Sequence, residues 1–288
     1  LRFKKQKNQL SRPVRFLSSL LLLVLFISMI VPFLNVLAIA FSTNKNSMMP
    51  GITLFPKEFS IEGFLTIWKT QNLWLPFLNS LLVATLGTFL QVLLSALVGY
   101  ILTKKDLPLR KVILGFVLLT MMIPSELTLV SLYSLNRDLG LLNTYSGLIV
   151  NGLMSGFSII LMKNYFESIP SSLFEAAQID HASEFTIFMK IYLPMSIPGL
   201  VTVGFISFVS KWNSLLIPAT IITDQNKYTL PVVLRSLIFN STANSGTAFI
   251  APNAIMAGIV ISVIPLIVAY IIAQRFLVGG MNLGSVKG

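Results

Sequence analysis

The 288-residue sequence has no cysteine and a single histidine, His181. That excludes a disulfide framework, thiolate metal sites, cysteine nucleophiles and a histidine-based metal cluster. No G-x-x-x-x-G-K-[ST] run occurs, so the chain cannot hold ATP in a P-loop of its own. No G-x-S-x-G elbow occurs, and Ser, Asp and Glu are too scattered to form a catalytic constellation. Charge is scarce too, at 11% of residues. What remains is apolar bulk: 55% of residues are hydrophobic, and mean hydropathy is +0.82. Such a composition does not suit a soluble domain of this length and predicts an all-α integral membrane protein. The function class left is a conduit, driven by a partner or by an ion gradient.

The apolar runs predict six transmembrane helices. The first covers 16–41, with Pro32 as a kink; it is too long for a signal h-region and no small-residue cleavage site follows it. Residues 42–76 read as a polar external segment. A second run, 73–103, is expected to be helical from about Phe77. The third, 112–135, is interrupted by Pro124 and Glu126, and 136–145 reads as an external loop. The fourth, 146–163, carries Gly152-x-x-x-Gly156, where small residues permit close helix packing. The fifth, 193–218, contains Pro194, Pro198 and Gly204. Residues 219–253 read as an external, partly re-entrant segment, and the sixth run is 254–274. This gives an N-terminal part, 1–72, and a core, 73–288.

The net charge of +11 would suit nucleic acid, but its distribution reads as membrane topology instead. With the N-terminus inside, inner segments hold fourteen basic residues, among them Arg2, Lys4, Lys5, Lys7 and the 104–111 turn. Outer segments hold six: Lys45, Lys57, Lys69, Arg137, Lys227 and Arg235. The bias places the polar stretch 164–192 in the cytoplasm.

Within that stretch, Ser172 and Glu175 match a capping box that would start a short helix. Leu173, Phe174, Ala176, Ala177 and Ile179 follow or interleave, and the alanines keep the helix slim. Asp180-His181 breaks the pattern. Ser183 is expected to cap a second helix with Phe185, Phe188, Met189 and Tyr192 on one face. A helix pair with an apolar face between two membrane spans needs something to dock on.

Glu175-Ala176-Ala177, with Ile191-Tyr192-Leu193-Pro194 at the matching distance, resembles the EAA loop of bacterial ABC importer permeases. The family's glycine falls at His181, where a left-handed turn is implied. Further matches are Asn79-Ser80, Met122-Ile123-Pro124, Trp212-Asn213 with Pro218, and Arg275-Phe276 with Gly279-Gly280 and the ending 284–288. Together they resemble the maltose-type carbohydrate uptake permeases. The resemblance implies the type I importer fold with cytoplasmic coupling helices in a bacterial cytoplasmic membrane. It implies a second homologous permease, two cytoplasmic ATPase subunits that bind the ATP and Mg, an extracytoplasmic solute-binding protein and a carbohydrate substrate. It also implies ATPase coupling through Phe174, Glu175, Ala176, Ala177, Asp180, His181, Ala182 and Phe185. The alternative is an ion-coupled secondary transporter, which would need intramembrane carboxylates; Glu126 is the one that serves it.

Candidate path residues are Asn79, Glu126, Asn151 and Asn213. Asn151 and Gln91 also read as interhelical hydrogen-bond groups. Lys211 is expected to snorkel outward, and Trp212 to anchor at the membrane interface. No catalytic or metal-ligating set is expected.

Overall fold

The computed structural model of the chain describes residues 12–242 and 250–281. Arg2, Lys4, Lys5, Lys7 and the ending 284–288 lie outside the described residues. Among those described the chain is helical, with no strand beyond one antiparallel bridge between Ser42 and Phe59. The helices are α1 Arg12–Ala40, α2 Asn44–Ser47, α3 Glu62–Gln71, α4 Trp74–Ile101, α5 Arg110–Met122, α6 Leu129–Asp138, α7 Tyr145–Val150 and α8 Gly156–Glu167. They continue as α9 Ser171–Ile179, α10 Glu184–Ile187, α11 Leu193–Met195, α12 Ile197–Trp212, α13 Leu216–Ile221, α14 Leu230–Thr242 and α15 Pro252–Met281.

Among the described residues, three helices are long and apolar enough to cross a membrane: Pro13–Ala40, Trp74–Ile101 and Pro252–Leu277. The number rises to five if each of two bent pairs is one span. The chain divides into two units, Leu1–Gln71 with Asn240–Ile261, and Asn72–Phe239 with Ser262–Gly288.

In the first unit, the most apolar window of α1 has no buried residue. A helix apolar all round and unburied is built for lipid or for another helix. The 42–76 segment is more structured than its polarity suggests. It contains α2 and α3, and Ile67 is fully buried. Phe41 stacks on Phe59 at 5.3 Å and tilts against Phe64 at 4.9 Å. Asn253 donates to the Ser42 carbonyl at 3.0 Å and to Asn44 Oδ1 at 2.8 Å. Its own carbonyl would lie 2.6 Å from a Cβ on Gly63, so α3 needs glycine there.

The second unit is built on α4, which packs against α8 and α12. Its buried face carries Ser80, Ala84, Gly87, Ser95, Ala96 and Gly99, small residues recurring at helical spacing that let backbones approach. A Cβ on Gly99 would lie 3.0 Å from the backbone nitrogen of Lys163 in α8. α4 begins at Trp74 rather than near Phe77. Pro76 falls in its first turn, where the missing N–H costs nothing.

The other predicted spans are broken. Ile123 is extended ahead of Pro124, as the residue before a proline prefers. A 3₁₀ turn at Ser125–Thr128 then leads into α6, and the pair is bent by 90°. The 136–145 stretch is not simply a loop: Asn136 ends inside α6, 1% exposed. Run 146–163 is two helices, α7 and α8, each with its own cap from Thr144 and Ser155. Gly152 and Gly156 therefore do not form one helical packing motif. Gly156 does meet a neighbour: a Cβ there would lie 2.9 Å from the Val117 carbonyl of α5. Run 193–218 breaks at Ser196 and again after Trp212, and Glu184–Met195 meets Ile197–Trp212 at 76°. The 219–253 segment contains α14, whose Leu230, Val233 and Leu237 are buried.

Candidate functional site

The first candidate is the helix pair α9–α10. Its turn is a Schellman closure: the Ala182 N–H reaches the Ala177 carbonyl and the His181 N–H reaches the Gln178 carbonyl, both at 3.0 Å. His181 holds the left-handed position of that motif, with φ of 53°. This is the conformation implied by its alignment with a glycine. Ser183 caps α10, accepting from the Thr186 N–H at 3.2 Å. The expected capping box at Ser172 and Glu175 does not form. α9 starts at Ser171 with Pro170 before it, so Ser172 is already inside the helix and no side chain caps it.

The inner face of the pair is anchored in the second unit's aromatic cluster. Tyr100, Phe166, Phe188 and Tyr192 meet with ring centroids 4.9 to 6.3 Å apart, and Phe174, Ala177 and Ala182 pack against them. Lys104 lies 3.8 Å above the Phe174 ring and pairs with Glu184 at 2.7 Å. The Tyr100 hydroxyl donates to the same carboxylate at 2.5 Å. Arg110 and Lys163 both hold Glu167 at the end of α8, at 2.9 and 2.7 Å. The basic turn read as a topology signal thus also clamps the base of the helix pair.

The outer face is open. Glu175, Ala176, Asp180 and His181 are exposed; so are Ile179 at 78%, Phe185 at 70%, and to a lesser degree Leu173 and Met189. The predicted apolar stripe of the second helix therefore splits. Phe188 and Tyr192 point inward with Ile187, while Phe185 and Met189 point outward. A π-helical turn at Phe188–Tyr192 shifts the register just before Pro194, which has no N–H to continue an α-helical ladder. Ile179 joins the outer face, and its place beside the Schellman turn was the signal for it.

The second candidate is a cavity of about 260 Å³. It lies among α4, α12 and the break between α7 and α8. Gln91, Asn151, Ser155, Ser158, Ser207 and Lys211 are among its polar lining. Gln91 donates to Ser158 Oγ at 3.0 Å, and Asn151 pairs with Asn136 through bonds of 3.0 and 3.2 Å. Both amides make the interhelical bonds expected of them while still facing the cavity.

Of the four path candidates, only Asn151 lines this space. Asn79 is buried and bonded on both sides: it donates to the Asn226 and Tyr228 carbonyls at 2.9 and 3.0 Å and accepts from Tyr145 at 2.8 Å. Asn213 is exposed at the end of α12, and Glu126 is exposed on the 3₁₀ turn. Two expectations are reversed. Lys211 turns inward and donates to the Gly152 carbonyl at 2.5 Å, because the α7–α8 break leaves that carbonyl without a helical partner. Trp212 is 2% exposed, donates to the Ser262 carbonyl at 2.9 Å and packs edge-on to Phe77. It is a core residue rather than an interfacial anchor.

A family model described as the binding-protein-dependent transport system inner membrane component matches residues 91–282. The chain belongs to that family. As an inner membrane component it is a transport subunit, not an enzyme, and a multi-pass membrane protein. It is 31% identical over 275 residues to the polygalacturonan/rhamnogalacturonan transport system permease protein YtcP of Bacillus subtilis, covering 93% of this chain and 96% of the relative. The arabinooligosaccharides transport system permease protein AraQ of Halalkalibacterium halodurans is 30% identical over 260 residues, covering 89% and 91%. A solved bacterial ABC transporter that imports the acidic polysaccharide alginate superposes with a TM-score of 0.84 over 96% of this inner membrane component and 100% of that chain, at 24% identity. That likeness shows the fold: an ABC importer permease.

Proposed function

We propose that this chain is one of two homologous permease subunits of an ATP-driven importer for oligosaccharides in a bacterial cytoplasmic membrane. In this reading it crosses the membrane six times with its N-terminus inside; the bent α5–α6 pair and the α7–α8 segment each count as one broken span, and the fifth span is carried by Ile197–Trp212. The 164–192 loop then faces the cytoplasm and docks on one of two ATPase subunits, which bind the ATP and Mg. An extracytoplasmic binding protein delivers the sugar. The observation that carries the reading is the helix pair itself. Its inner face is fixed in the core, while Ile179, Phe185 and Leu173 remain exposed on the other side. An apolar patch at the end of a rigidly held element is what a groove on a partner would grip.

The named substrates of YtcP and AraQ are saccharides, which supports carbohydrate as the cargo here. The cavity lined by Gln91, Asn151 and several serines offers the donors and acceptors that neutral hydroxyls require. The ion-coupled alternative loses support because Glu126 does not line that cavity. The test is uptake of labelled oligosaccharide by proteoliposomes carrying the whole complex. ATP-dependent uptake that survives collapse of ion gradients is the expected result. Gradient-driven uptake without ATP, or transport of peptides or metals only, overturns the reading.

A further inference from the structure

Lys211 is the one charged residue among those lining the cavity, and binding neutral hydroxyls does not require it. Its place is built by other parts of the chain. A Cβ on Gly87 of α4 would come within 3.0 Å of Lys211 Cδ, and a Cβ on Gly152 would lie 2.4 Å from its Nζ. Two glycines from separate segments thus make room for this side chain. The Gly152 carbonyl accepts from Nζ, and an ammonium has three N–H groups to give. Among the described residues no acidic side chain lines the cavity and no carboxylate forms an ion pair with Lys211. A partly buried cation without a counter-charge favours whatever brings one.

Two hydroxyls complete the setting. Ser207 lies one turn before Lys211 on the same face of α12, and Thr229 stands at the head of α14. They are 3% and 4% exposed, both line the same cavity, and neither hydroxyl has a hydrogen-bond partner. Buried hydroxyls are ordinarily bonded, so two unpartnered ones on residues lining the cavity that holds the ammonium leave hydrogen bonds for a ligand to make. A sugar hydroxyl both gives and takes hydrogen bonds. A carboxylate only takes them; the two hydroxyls can serve either partner, but the ammonium only gives, and it is the ammonium that favours a carboxylate.

We propose that Lys211, with Ser207 and Thr229, forms a carboxylate-binding position in the translocation cavity, so that the saccharide carried is acidic, a uronic-acid oligosaccharide. This rests on the carbohydrate-importer reading and narrows its cargo.

The test uses the complete importer in proteoliposomes with three labelled probes: a galacturonate trisaccharide, its methyl ester and a neutral trisaccharide. The wild type should carry the free acid at least tenfold faster than the ester. Lys211→Met should cut uptake of the acid at least tenfold and leave the ester and neutral rates within twofold, while Lys211→Arg keeps most of the acid uptake. If Lys211 is only a strut under Gly152, Lys211→Met lowers all three rates together, and the proposal is overturned. Equal wild-type uptake of acid and ester also overturns it, and needs no variant to fold. Uptake of the neutral probe alone removes the acidic cargo but keeps the importer. Uptake of none of the three under ATP removes the carbohydrate-importer reading itself.

Discussion

The turn of the α9–α10 pair closes through neighbours in sequence, while Tyr100 and Lys104 from far along the chain hold its inner face. Ser183 caps a helix three residues on, and Ala182 closes onto Ala177. The cavity takes its shape from partners far apart. Lys211 reaches Gly152 across 59 positions, Gln91 reaches Ser158 across 67, and the Leu230 N–H reaches Ser80 across 150. Local closure fixes the shape of the surface presented to a partner. Distant closure makes a space that changes whenever α4, α8 and α12 shift against each other. In the importer proposed above, the first is the contact for the ATPase and the second the chamber for the cargo.

The sharpest way to break this contrast is within the loop itself. Phe188 is 3% exposed in the aromatic cluster and Phe185 is 70% exposed on the outer face. Phe188→Ala should cost about 3–5 kcal/mol in stability, seen as a large drop in the thermal midpoint of the purified protein. Phe185→Ala should move that midpoint little, by about 0.5 kcal/mol or less. Equal effects would mean that the two faces are not distinct.

The outer face is next. Ile179→Asp combined with Phe185→Asp should leave the chain in the membrane at normal levels yet reduce ATP-dependent uptake about tenfold or more, since a loss of 1.4 kcal/mol or so at a contact is tenfold in its equilibrium. Uptake and ATP hydrolysis measured on the same vesicles would show whether the two activities have separated.

Behind the cavity wall, Asn136→Ala takes the donor from Asn151 Oδ1, while Asn151 Nδ2 keeps the Gly147 carbonyl; it should cost about 1–3 kcal/mol, lowering the thermal midpoint while sparing the ATPase contact. The smallest change is at the turn. His181 pays for its left-handed backbone, so His181→Gly should leave uptake within twofold and stability within about 1 kcal/mol. A large loss would mean that the imidazole itself makes a contact with the ATPase.

The same contrast explains what could be read from residues alone. The Ser183 cap is a short-range pattern and was legible, and the left-handed turn at His181 followed from the family's glycine at that position; the equally local capping box at Ser172 and Glu175 was misread because the helix starts one residue earlier, after Pro170. Long uncharged runs such as those of α1 and α4 were legible because hydropathy is a sum over neighbours. The broken runs were not: a window that averages over Pro124 or over 151–155 cannot tell a kinked span from two helices. Lys211 and Trp212 were misread for a related reason. Snorkelling and interfacial anchoring are defaults for isolated side chains, and only the fold reveals that Gly87 and Gly152 leave room for the lysine or that Ser262 offers a carbonyl to the indole. The split of the second helix's apolar stripe needed the π-helical turn, which an i, i+3, i+4 pattern does not foresee.

The absence of cysteine makes the most direct test simple. A single Ile179→Cys replacement puts one thiol on the outer face of α9, and Ala177→Cys puts one on the inner face. Maleimide labelling would be timed in the permease alone and in the complex assembled with its ATPase. Docking through the outer face predicts rapid labelling at 179 in the permease alone, strong protection on assembly, and slow labelling at 177 in both. Equal labelling at 179 with and without the ATPase would contradict it.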